Sequence, residues 1–219
     1  MKGFHFKSTD KIFITGQTGS GKTTLARHIQ KCFPRLVIFD RVRDYENERG
    51  EGIFHVSTFE TFGRAIAATL NEKTFKIIFS FDIDADNHDD VFNMAMRVCY
   101  KRWDHCEYQN PICVVVDEIH NFATPHFIPK YLKESYLSGR HQNLGIIAAS
   151  QRPANVHKDV LAQSTHLFCA NFSEANDIKY FREKMGEHAE KLRTLPQFEF
   201  LHFQNGATPV MTWKVEPLK

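Results

Sequence analysis

The sequence predicts one α/β domain built on a mostly parallel β-sheet with helices packed on both faces. Three observations predict it. Short runs rich in Val, Ile and Phe alternate along the chain with stretches whose apolar residues recur at helical spacing. Two of those runs, residues 112–116 (ICVVV) and 146–149 (IIAA), are apolar throughout, the signature of strands buried on both faces. The 219 residues, 42% of them hydrophobic, suit one substantial core and make two domains a tight fit. Strands alternating with helices then imply parallel crossovers of one hand.

Taken in order, residues 11–15 (KIFIT) read as a strand running straight into Gly16. From Gly21, Leu25, Ile29 and Cys32 keep helical spacing until Pro34 stops the helix. Residues 36–39 (LVIF) form a second buried strand ending at Asp40, followed by a polar loop over 41–52. A strand at 53–56 leads to Ser57 and Glu60, a capping-box pattern ahead of Phe59, Phe62, Ile66 and Leu70. Residues 75–81 (FKIIFSF) are a strand, and Phe92, Ala95, Cys99, Trp103 and Cys106 share one face of a helix over 91–106. Further strands fall at 112–116, 146–149 and 167–170. Near the C-terminus, 197–204 and 208–215 flank Asn205-Gly206, a strong hairpin signal.

Composition narrows the functional classes. A net charge of +2 permits contact with nucleic acid through local patches and does not require it. No apolar run is long enough to span a bilayer, and the first residues lack the apolar core of a signal peptide, so a soluble intracellular protein is expected. The five cysteines are scattered without a C-x-x-C pair, which points to reduced thiols. The acidic stretch 82–90 has Asn87 and Asn93 where a calcium loop needs Gly and Glu, and reads as an acidic loop. His120 and His141 read as hydrogen-bonding or surface residues.

The chemistry begins at Gly16-Gln17-Thr18-Gly19-Ser20-Gly21-Lys22-Thr23, which fits G-x-x-x-x-G-K-[ST] between a strand and a helix. Glycines let the backbone curl so that successive N–H groups point at phosphates, and the helix start adds its positive end. Lys22 is expected to reach the β- and γ-phosphates of ATP, with Thr23 on Mg²⁺ and Thr24 continuing the nucleotide-binding turn. The strand 112–116 ends in Asp117-Glu118, which a parallel sheet places at its ligand-binding edge. Asp117 is then expected to hold Mg²⁺ and Glu118 to take a proton from the attacking water. The next apolar strand ends in Ser150-Gln151-Arg152-Pro153, where Gln151 would bond both γ-phosphate and water.

The order G-x-x-x-x-G-K-T, V-V-V-D-E-I-H-N-F, G-R-H-Q-N-L-G-I-I-A-A-S-Q-R-P resembles the HerA/FtsK superfamily of DNA-pumping ATPases, most specifically over residues 139–177. The resemblance covers roughly residues 11–203, within a single domain over 1–219. It implies a RecA-like P-loop core, a homo-oligomeric ring (a hexamer first), translocation of double-stranded DNA, and an arginine finger acting on the neighbouring subunit. Arg140 matches that position best, and Arg152 is the second candidate. The P-loop begins fifteen residues in, which leaves no room for the extra domains of HerA or FtsK and resembles the minimal genome-packaging ATPases of internal-membrane icosahedral viruses. Capsid or internal-membrane vertex proteins would then be partners of a motor that does not itself span the membrane. Lys130, Lys133, Arg152, His157 and Lys158 are candidates for gripping DNA phosphates in a pore. A cellular HerA-like translocase or conjugation ATPase, a small-molecule phosphotransferase and a nucleotide-controlled switch stand as alternatives.

Overall fold

The computed structural model describes residues 5–80, 88–101, 110–172, 174–205 and 210–217. In chain order the strands are β1 (Lys11–Thr15), β2 (Arg35–Asp40), β3 (Ile53–Val56), β4 (Phe75–Ser80), β5 (Ile112–Val116), β6 (Leu144–Ser150), β7 (His166–Cys169), β8 (Glu199–Gln204) and β9 (Met211–Lys214). The helices are α1 (Lys22–Gln30), α2 (Phe59–Thr69), α3 (His88–Lys101), α4 (Lys130–Ser138), α5 (Lys158–Gln163) and α6 (Ala175–Met185). The strands form one nine-stranded sheet in the order β3-β4-β2-β5-β6-β1-β7-β8-β9. All pairings from β3 across to β7 are parallel, and β8 and β9 close the sheet as an antiparallel hairpin.

Strand order dictates where each helix lies. From β1 the chain steps past β6 and β5 to reach β2, whereas from β3 to β7 every crossover steps the opposite way along the sheet. Crossovers of one hand that run in opposite directions must use opposite faces. Accordingly Leu25, Ala26 and Ile29 of α1 pack on one core with Ile12 and Ile14 of β1. Residues of α2 to α6 share the other core with Phe13. The β2–β3 loop also steps in the α1 direction, and its Tyr45 is buried on the α1 face.

Of the boundaries that depart from the sequence reading, three have a local cause. The N-cap of α2 is Thr58, not Ser57: Thr58 and Thr61 exchange backbone-to-hydroxyl bonds at 3.2 Å, so Thr61 takes the place expected for Glu60. Helix α1 ends at Gln30, and Cys32 N bonds Ile29 O in a tighter turn because Pro34 cannot continue an α-helix. Strand β8 starts at Glu199, since Glu199 N turns back onto Pro196 O and Phe198 has φ 63°. Trp103, Cys106, the acidic residues 82–87 and Gly206 of the expected hairpin turn lie outside the described residues. Among the described residues no helix is long and apolar enough to cross a membrane.

Candidate nucleotide-binding site

The carboxyl ends of β1, β6 and β5 lie side by side at one sheet edge. In register, Thr15 pairs with Ser150 and Val116 with Ala148, so the residues after β1, β5 and β6 share one level. Because β6 lies between β1 and β5, Gln151 falls between the loop after β1 and the acid pair after β5.

The loop after β1 is fastened from three sides. A Cβ on Gly16 would stand 2.5 Å from Ala170 Cβ, so only glycine lets β1 leave so close to β7. Gln17 N donates to Asn171 O at 3.2 Å, and Gln197 Nε2 donates to Gly19 O at 2.7 Å. Gly21, at φ 99°, is the N-cap of α1 and lies against the Phe198 ring. The Lys22 amine is buried and donates to Gln17 O at 3.1 Å. Burial lowers its pKa, and the charges of Glu118 and Asp117 oppose that shift. Thr23 and Thr24 occupy the first turn of α1, half-buried. Among the described residues Ser20 Oγ is buried without a hydrogen-bond partner, as suits a loop that takes a polar ligand.

Asp117 is buried, and burial, then the charge of Glu118, pushes its pKa up to about 6. Its Oδ1 accepts from Glu118 N at 2.9 Å. Glu118 itself sits at φ 47°, ψ 51°, a left-handed conformation that costs a non-glycine residue about 1–3 kcal/mol. Gln151 Nε2 donates to Glu118 Oε1 at 2.7 Å, and Thr18 Oγ1 donates to Gln151 Oε1 at 2.8 Å. One hydrogen-bonded chain therefore joins the loop, the polar strand end and the acid pair. Burial would raise the pKa of Glu118, but the adjacent His120 ring and the bond from Gln151 outweigh it and hold the carboxylate below its usual range.

The two arginines part company. Arg152 lines a cavity of about 400 Å³ with Glu118, His120, Asn121, Gln151 and Asn155. Arg140 lies before β6, close enough to Lys11 at the start of β1 for its charge to lower the Lys11 pKa after burial does so. That is the opposite sheet edge, about 20 Å away along the seven residues of β6. The structure thus brings together residues 16–24, Asp117, Glu118, Gln151 and Arg152, and it leaves Arg140 apart. Asn121 and Asn155 were not singled out in the sequence, where each is one amide among many. Of the candidate phosphate grips, Lys133 Nζ lies 3.7 Å from Asp159, which offsets part of its charge, and His157 Nδ1 lies 3.7 Å from the same carboxylate.

No family model matches the chain. Among curated proteins, the DNA double-strand break repair helicase HerA of Sulfurisphaera tokodaii is 29% identical over 89 residues, 37% of this chain. The chain spans 17% of the length of that relative. Among solved structures, the genome packaging NTPase B204 of Sulfolobus turreted icosahedral virus 2, in complex with ATP-gammaS, superposes with a TM-score of 0.73. The match covers 95% of this chain and 98% of B204, at 19% identity. The fold is that of a P-loop NTPase. The bacterial conjugative coupling protein TrwB shares this P-loop NTPase fold, with a TM-score of 0.72 over 97% of this chain and 87% of its own, at 10% identity. The resemblance to HerA/FtsK ATPases read from the motifs thus has its counterpart in the P-loop NTPase fold.

Proposed function

We propose that this chain hydrolyses ATP to move double-stranded DNA, as one subunit of a homo-oligomeric ring that packages a viral genome. The observation that carries this reading is the hydrogen-bonded chain Thr18–Gln151–Glu118 across the mouth of the P-loop. It links a phosphate cradle to a water-activating carboxylate through a residue able to read what lies between them. The fold shared with B204 and TrwB supports the coupling to DNA, since the first packages genomes and the second serves conjugation.

In this mechanism the N–H groups of residues 16–24 and the positive start of α1 bind the β- and γ-phosphates. Lys22 leaves its bond to Gln17 O for the γ-phosphate, whose charge compensates the ammonium more strongly than a carbonyl does. Asp117 and Thr23 are hard oxygen donors, and a buried carboxylate with a raised pKa is a site where a cation is welcome, so both fit Mg²⁺. Held by them together with the triphosphate, Mg²⁺ would supply neutralisation of phosphate charge. Glu118 takes the proton of the attacking water, and Gln151 orients that water against the γ-phosphate. Arg140 lies at the edge remote from its own P-loop and serves the site of the next subunit, where it stabilises charge on the transferred phosphoryl group. Arg152 faces its own site. The likeness to B204, a genome packaging NTPase, supports packaging, while conjugative transfer by a TrwB-like ring would use the same chemistry on another cargo.

The test is steady-state phosphate release with and without long duplex DNA. DNA is expected to stimulate the wild type, and Glu118→Gln is expected to lower kcat by roughly 100-fold or more while retaining ATP binding. Hydrolysis indifferent to DNA, or full activity in the variant, would sink the mechanism.

A further inference from the structure

We propose that His120, anchored by Ser150, is a positioning residue that fixes the Glu118 carboxylate for water activation. The inference rests on the reading of Glu118 as the base. Glu118 enters a left-handed conformation directly after Asp117, and the 3₁₀ turn Ile119–Asn121 brings the His120 ring back beside the carboxylate. One carboxylate oxygen, Oε1, is held by Gln151 at 2.7 Å. The other, Oε2, is buried and, among the described residues, accepts no well-aligned hydrogen bond. His120 Nδ1 stands 3.2 Å from it and also 3.2 Å from Ser150 Oγ.

The proton count selects one tautomer. An ionised carboxylate only accepts, so the nitrogen facing Oε2 must carry the proton. The fully buried Ser150 hydroxyl accepts from Arg152 N and donates to Arg152 O, both at 3.3 Å. Its remaining lone pair is therefore free to take a share of the same Nδ1–H. The ring is thus pinned between the end of β5 and the end of β6, with Nδ1 bonded to a structural hydroxyl and standing 3.2 Å from the base. Gln151 alone would leave the carboxylate free to pivot about Oε1. His120 removes that freedom, and a displacement of about 1 Å at such a group costs up to roughly 100-fold in rate.

The experiment measures kcat and KM for ATP, with saturating duplex DNA, in His120→Ala, His120→Asn, His120→Gln and Ser150→Ala. Binding of a fluorescent non-hydrolysable ATP analogue and thermal melting confirm folded protein. An Asn amide nitrogen overlies Nδ1 of histidine, and a Gln amide nitrogen overlies Nε2. The expected result is a roughly tenfold loss of kcat in His120→Ala with KM nearly unchanged, restored by Asn and not by Gln, and a smaller loss in Ser150→Ala. A kcat for His120→Ala equal to wild type overturns the inference, as does a loss that Asn and Gln repair equally. Either result leaves the ATPase reading standing. Absence of hydrolysis in the wild type would instead overturn both.

Discussion

At the residue scale, backbone conformation and close contact decide what the P-loop tolerates. Gly21 combines φ 99° with a Phe198 ring that a Cβ would meet at 2.6 Å, so neither strain nor contact can be relieved alone. Gly21→Ala is expected to cost about 1–3 kcal/mol by chemical denaturation and to weaken binding of an ATP analogue. Gly63 supplies the contrast: it lies within α2 with nothing inside 4 Å of its would-be Cβ. Gly63→Ala should stabilise the chain by about 0.5–1 kcal/mol and leave nucleotide affinity alone. The left-handed Glu118 belongs to the same class of local strain, placed where the proposed chemistry needs an oriented carboxylate.

At the scale of elements, Trp213 Nε1 donates to His202 Nδ1 at 3.0 Å, which leaves the His202 proton on Nε2. That atom lies 2.9 Å from His166 Nδ1, and His166 Nε2 lies 3.2 Å from Asp10 Oδ2. The chain stitches β9, β8, β7 and the start of β1. Burial, then the charge of His166, lowers the His202 pKa to about 4. An unfolded chain therefore takes up this proton near pH 6.5 and the folded one only near 4. Its contribution, at most roughly 3 kcal/mol, is present above pH 6.5 and is lost as pH falls towards 4. Denaturation measured between pH 7 and pH 4 should show that decline, and His202→Gln should flatten it. Elements that depend on near neighbours were legible in the sequence: all-apolar strands, the Gly-rich turn, the stop at Pro34. Adjacent Ser57 and Thr58 both satisfy a capping pattern, and only the completed turn selects Thr58. Contacts between distant segments were not legible, Asp10 with His166 among them, because no local period records them. For the same reason the site's backbone motifs could be read but the His120 and Thr18 links could not.

For the whole molecule, the position of Arg140 yields a test of the proposed ring. A Glu118→Gln subunit lacks its base but keeps its arginine, and an Arg140→Ala subunit has the opposite defect. Each variant alone should be impaired, and mixing them should restore part of the DNA-stimulated phosphate release, because some sites then regain both groups. Activity that merely averages the two parents would argue against a finger in trans. The sheet order carries one more consequence, for the order in which the molecule is made. β1 is the first strand to be synthesised, yet its two neighbours are β6 and β7, and Lys11 pairs with Ile146 and Ile12 with His166. Until the ribosome has delivered those late segments, the strand that carries the P-loop has nothing to lie between. Such distant pairing is intrinsically slow to form. The proposed nucleotide cradle is consequently among the last parts of the fold to be completed, so that a chain able to hold ATP there is also a chain in which β1, β6 and β7 have come together.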